Sequence, residues 1–287
     1  MKKLYILSIT LLIAASSFAQ DSEETFHGTR ILNGHSVETL KKNTLQFRIE
    51  HRFGDLIGVA GGINNFFGFD QAADIRFGFE YGILDKLMVG VGRSKGTSAP
   101  YKSLVDGFVK YRLLTQNYSK GMPVSLALFA SSSLSYEPAV SDISLIQHYP
   151  EFSHRMAYST QINIARKFTD RISVALMPTY IHRNLVNTND VNGLFALGGA
   201  FNIKVLKGLG IIGEYYHTFS SSDPSVRPDN YNSLSGGVEW ITSGHNFKVV
   251  VTNSRGFGET QFIPYTFSNW LDKQFRLGFS ITRNFKL

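Results

Sequence analysis

The sequence predicts an all-β fold: a transmembrane up-and-down antiparallel β-barrel of about twelve strands, with short periplasmic turns and long extracellular loops. Three observations predict it. Apolar and polar residues alternate with period two in segment after segment. Short and long connections alternate between those segments. The composition joins 13% aromatic residues, 23 of them Phe, to only 18% charged residues and 26 Gly, lean in charge for a secreted soluble domain.

The first twenty residues read as a leader. Lys2 and Lys3 precede a short apolar run from Leu4 to Ala15, and Ser17-Phe18-Ala19 places small residues where a signal peptidase cuts. That run is shorter than the roughly twenty residues a membrane helix needs. No later apolar run is long enough either, which excludes a helical membrane protein. The expected layout is a signal peptide at 1–20, a periplasmic N-terminal segment at 21–42 that would serve as a partial plug, and the barrel at 43–287. Removing Lys2 and Lys3 from the formal charge of +7 leaves +5, a diffuse basic balance suited to phosphate-bearing lipid or an anion-favouring lumen. Nucleic acid is not expected at this address. With no Cys in the chain, thiol catalysis, Cys₄ zinc and a lipid-modified N-terminal Cys are ruled out.

The strands follow in order. Leu45, Phe47, Ile49 and Phe53 alternate with Gln46, Arg48, Glu50 and Arg52, and Ile75, Phe77, Phe79 and Tyr81 with Asp74, Arg76, Gly78 and Glu80. Val109, Tyr111 and Leu113 alternate with Lys110 and Arg112, and Tyr158, Ile162 and Ile164 with Ser159, Gln161 and Asn163. Leu234, Val238 and Trp240 oppose Ser233, Ser235 and Glu239, and Phe247, Val249 and Val251 follow. Phe275 to Leu287 gives the cleanest split, with Leu277, Phe279, Ile281 and Phe285 against Gly278, Ser280, Thr282 and Asn284. Weaker strands fit at 87–92, 124–130, 172–180, 195–205 and 209–219. Period two over about ten residues crosses a bilayer when the strand is tilted.

Tight connections fall at Leu84-Asp85-Lys86, Thr169-Asp170, Leu206-Lys207-Gly208 and Ser243-Gly244-His245, with a longer one at 115–123. Between them lie polar or Gly-rich stretches at 54–72, 93–103, 131–152, 183–193, 220–230 and 254–273. An even strand count returns both termini to the periplasmic side. A soluble sandwich or lipocalin-like barrel has the same alternation with the faces reversed. Strand number, loop alternation and aromatic load together favour the membrane.

The stretches from Gly28 to Glu38, from Phe47 to Gly54 and from Asp74 to Ile83 resemble an outer-membrane β-barrel family of Bacteroidota-type bacteria, a domain of unknown function. The likeness spans nearly the whole mature chain. It implies the barrel fold and the outer membrane, and it carries no functional residue over.

Inward parity assigns Arg48, Glu50, Arg52, Arg76, Lys110, Arg112 and Arg276 to the lumen, as an ion-pair network, as solute contacts, or as both. The preferred reading is a passive pore or uptake channel for a small polar or anionic solute. The alternative is a closed structural or interaction barrel whose loops bind glycan, lipid or protein, with Phe67, Phe69, Tyr265 and Trp270 as the loop contacts. An outer-membrane lipid hydrolase is the remote third reading, since His182 near Asn184 and His217 near Ser220 have no nucleophile motif beside them. No enzyme activity, metal or cofactor is expected. The expected partners are outer-membrane lipid and, through the strand Phe275 to Leu287, the outer-membrane assembly machinery.

Overall fold

A computed structural model of the protein describes residues 24–58, 61–96, 102–219, 223 and 225–287. The leader read at 1–20 lies outside them. The chain is a closed antiparallel barrel of twelve strands in sequence order, with the last strand paired to the first. The strands are β1 Thr44–Asp55, β2 Ala72–Leu84, β3 Leu87–Lys95, β4 Leu104–Leu114, β5 Ser125–Ser135 and β6 Met156–Lys167. There follow β7 Ile172–Arg183, β8 Gly193–Leu206, β9 Leu209–Phe219, β10 Ser233–Ile241, β11 His245–Thr252 and β12 Arg276–Lys286. Closure is direct: Leu45 faces Phe285, Phe47 faces Arg283 and Ile49 faces Ile281. A closed barrel leaves no sheet edge, so nearly all strand N–H and C=O groups can bond within the wall, as a membrane demands.

Parity fixes the two faces. Phe77, Phe79, Val109, Tyr111, Leu197, Trp240 and Val249 are exposed on the outside, while Arg48, Glu50, Arg52, Arg76, Glu80 and Lys110 on alternate positions are buried inside. The barrel's exterior is its apolar surface and the interior holds the charge, the inverse of a soluble barrel. Among the described residues no helix is long and apolar enough to cross a membrane.

The strands run further than their apolar alternation foretells. The segment 131–152, expected as loop, begins as wall, because Ser131, Ser132 and Ser133 pair with Phe108, Gly107 and Asp106. Arg93, Ser94 and Lys95 likewise prolong β3. Backbone pairing continues past the apolar band, where outward side chains need no longer be greasy.

The inner wall has two unlike halves. β1, β2, β4 and β9 to β12 carry most of the charges. The interior of β5 to β8 is mostly uncharged, with Ala127, Ala165, Ala175, Met177, Ile181, Leu194, Ala196 and Ala200 in one apolar cluster beside the buried amides of Gln161, Asn163 and Asn202.

Candidate functional site

The site is the lumen, and it is built first from ion pairs. Arg48 Nε lies 3.0 Å from Glu80, and Arg76 bridges Glu50 at 2.9 Å and Asp106 at 2.6 Å. Register explains the bridge: Glu50 and Arg76 are cross-strand partners, and Gly92 faces Asp106. A Cβ on Gly92 would fall 2.3 Å from Arg76 Nη2, so glycine there lets the guanidinium cross β3 to its second carboxylate. Arg276 pairs with Asp55 at 2.9 Å, and Lys248 with Glu239 at 3.2 Å. These lumen cations are thus offset by neighbouring carboxylates.

Into this wall folds residues 25–40, entering and leaving at the end that bears Thr44 and Lys286. Its tip is a β-hairpin. Arg30 and His35 form an antiparallel bridge, Ile31 N–H donates to Gly34 O at 2.9 Å, and Ser36 N–H to Thr29 O at 3.0 Å. Asn33-Gly34 is turn chemistry with a reason in the structure. A Cβ on Gly34 would lie 2.2 Å from the Tyr216 hydroxyl.

Wall charges serve the hairpin's backbone. The Glu214 carboxylate accepts the N–H groups of Leu32, Asn33 and Gly34 at 3.1 to 3.3 Å. Lys110 Nζ donates to Thr29 O at 2.8 Å and Ser36 O at 3.1 Å; Lys248 Nζ donates to Arg30 O and Ile31 O at 2.6 and 2.7 Å. Arg52 donates to Asn33 Oδ1 at 2.8 Å, and Arg112 pairs with Glu38 at 2.9 Å. A buried backbone group without a partner costs about 1–3 kcal/mol, so these contacts decide whether the hairpin can stay. On its other side Phe26, Ile31 and Val37 pack against the apolar half of the wall.

A second insert comes from the opposite end. The connection from β11 to β12 folds inward, burying Phe257, Glu259, Thr260, Gln261, Phe262 and Ile263. Arg255 holds it to Asp74 at 2.8 Å, and Phe262 lies edge-on to Tyr216 with ring centroids 5.0 Å apart. The two inserts touch: His35 N–H donates to Glu259 at 3.0 Å, and Arg30 donates to Phe257 O. Outside this meeting point the loops are clamped together. Asp190 accepts from Arg183 at 2.7 and 2.8 Å and from Arg227 at 2.6 Å, while Arg227 also donates to Pro264 O at 2.6 Å. Burial alone would raise the Asp190 carboxyl, but the hydrogen bonds and charge of Arg183, with Arg227 beside it, outweigh that and hold it below the ordinary aspartate value.

A family model described as "Membrane bound beta barrel domain (DUF5777)" matches residues 26–285. The chain belongs to this family. The match spans the hairpin as well as the wall of this membrane-bound barrel. No curated protein matches the sequence. Among solved structures, the barrel is similar to KdgM porin in complex with disordered oligogalacturonate, with TM-score 0.51 and 11% identity over 84% of this chain and 99% of that one. KdgM porin alone gives TM-score 0.50 at 11% identity and the same coverage. An outer membrane channel from Pseudomonas putida F1 gives TM-score 0.47 at 11% identity over 87% of this chain and 98% of that one. Likeness at such identity speaks to the fold.

The residues singled out from sequence are distributed unevenly over this membrane-bound barrel. Arg48, Glu50, Arg52, Arg76, Lys110, Arg112 and Arg276 all lie on the inner wall, bonded to protein groups. The loop aromatics do not form one patch. Phe67 and Phe69 are exposed, with Phe69 packed 4.7 Å from the outward Phe53. Tyr265 instead lies under the Arg183 guanidinium at 5.0 Å, and Trp270 is half-buried in a short helical turn, Trp270–Asp272. His217 contacts Asn232 at 3.2 Å, and Ser220 lies outside the described residues. Among the described residues no group of three His, Asp or Glu could hold a metal ion. Sequence reasoning missed Arg30, Glu38, Glu214's role as turn acceptor, Glu259 and the Arg183–Asp190–Arg227 clamp. The signal for the hairpin was present in Ile31-Leu32-Asn33-Gly34, a four-residue turn between Arg30 and His35.

Proposed function

We propose that this protein is an outer-membrane channel for a small polar or anionic solute, held shut by its own N-terminal hairpin. It would be exported on the leader at 1–20 and folded at the outer membrane through its C-terminal strand. The observation that carries the reading is the wall's use of Lys110, Lys248, Glu214 and Arg112 to bind the hairpin. A barrel that needed only filling would be no less stable with apolar side chains there. Charged groups that hold a segment by hydrogen bonds can exchange it for water and solute. Withdrawal of the hairpin would uncover Arg52, Lys110 and Arg112, since each spends donors on it. Those three residues would then form the anion-attracting stretch of the passage.

The packing of Ile31, Val37 and Phe262 against the apolar half of the wall favours the second reading, a permanently closed interaction barrel. Planar-bilayer recordings separate the two. The full chain should be closed most of the time. Variants lacking residues 24–40, residues 256–266, or both should conduct, with the double deletion most open and its current anion-selective. Lys110→Gln with Arg112→Gln should reduce that selectivity. A double deletion that inserts as a folded barrel and stays silent would overturn the channel.

A further inference from the structure

The outer wall over β4 to β9 carries a groove of about 700 Å³. Its floor is low because the outward residues there are small, Ala130, Thr160 and Pro178, and its rim is tall, with Tyr111, Leu128, Tyr180, Phe195 and Phe219. It opens on the apolar exterior, where acyl chains lie against the barrel.

The groove holds a polar defect. β6 and β7 pair continuously from Ala157↔Arg183 to Gln161↔Thr179 and again from Ile164↔Leu176 to Lys167↔Ser173. The register is unchanged across the interval, so the lapse is one of bonding and not of alignment. It falls on Ile162 opposite Pro178 and on Asn163 opposite Met177. In an antiparallel ladder both of those pairs depend on a bond from the N–H of residue 178 to the carbonyl of residue 162. Proline has no N–H. The Ile162 carbonyl therefore points at β7 without its strand partner, in a groove lined by both residues. On a membrane face such an acceptor has no water to turn to. Proline within a sheet is ordinarily confined to edges and bulges, and this barrel has no edge.

Depth selects the occupant. Ile162 and Pro178 are each seventh in strands of 12 residues, midway across the wall and far from the headgroup region. A donor that meets this carbonyl must come from within a chain. We propose that the groove binds a lipid acyl chain bearing a mid-chain hydroxyl, whose O–H donates to the Ile162 carbonyl while the chain lies along Ala130, Thr160 and Pro178. The proposal is independent of whether the lumen opens.

The test compares stearate with 12-hydroxystearate, chains alike except for one mid-chain hydroxyl. The full-length protein in phosphatidylcholine nanodiscs carries Phe195→Trp as reporter, with Trp240→Phe and Trp270→Phe removing the native pair. A brominated stearate quenches the reporter, and the two chains compete for it. The hydroxylated chain should displace the quencher at about five- to tenfold lower concentration, the worth of one hydrogen bond. Pro178→Ala returns an N–H to β7 and should abolish that preference while leaving displacement by stearate intact. Equal displacement by the two chains, a preference that survives Pro178→Ala, or no more quenching at position 195 than at a tryptophan replacing Phe79 would each overturn it.

Discussion

Glu214 is the residue on which the hairpin's turn depends, because one carboxylate takes the N–H groups of Leu32, Asn33 and Gly34. Glu214→Ala should strand these donors and weaken hairpin docking by about 1–3 kcal/mol. The change would be read as faster protease cleavage near residue 28 in the otherwise folded barrel; cleavage at the wild-type rate would refute the assignment. Asp190 does comparable work at the other mouth, with a pH dependence whose sign follows from its neighbours. Its carboxyl is held below the ordinary aspartate value, so the clamp's contribution is complete above that value and is lost as pH falls through the lowered one. Loop protection against an acid-active protease should therefore persist at about pH 5 and weaken only as pH drops beneath the ordinary aspartate value of about 3.9. In Asp190→Asn the loops should be cut at either pH, and equal protection in both proteins would exclude the clamp.

At the scale of elements, the hairpin can be tested as a moving part. Asn33 Nδ2 donates to Ser235 Oγ at 2.8 Å, and the chain has no cysteine of its own. Asn33→Cys with Ser235→Cys should form a disulfide that silences any opening, restored by dithiothreitol. Openings that ignore the redox state would show that the tip does not leave. The strands were legible from sequence where the two faces differ in chemistry. β1, β2, β4 and β12 stand out because Arg48, Glu80, Lys110 and Ser280 alternate with large outward side chains such as Phe47, Phe79, Tyr111 and Phe279. β7 and β8 read faintly for a physical reason: Ala175, Met177, Ile181, Leu194 and Ala196 line the inside, so apolar residues occupy both faces and the contrast of period two is lost. Parity along a strand tells which charges share a face, but it does not reveal their partners. Glu38, Glu214 and Glu259 act on backbone groups of distant segments, and spacing along a chain carries no trace of that.

For the whole molecule, exterior and interior obey opposite rules, and a single arginine can measure the difference. Phe77 is outward on β2 and 44% exposed. Phe77→Arg should cost about 2–4 kcal/mol of barrel stability in phospholipid vesicles, as a charge near the bilayer midplane does, measured by urea unfolding. An unchanged midpoint would mean that this face does not meet lipid. The bond between His35 N–H and Glu259, with that from Arg30 to Phe257, ties a segment rooted on one side of the membrane to one rooted on the other. On the proposed channel reading, traffic would answer to two compartments at once: dislodging either insert would open the passage only in part, and full permeability would call for coincident events inside and out.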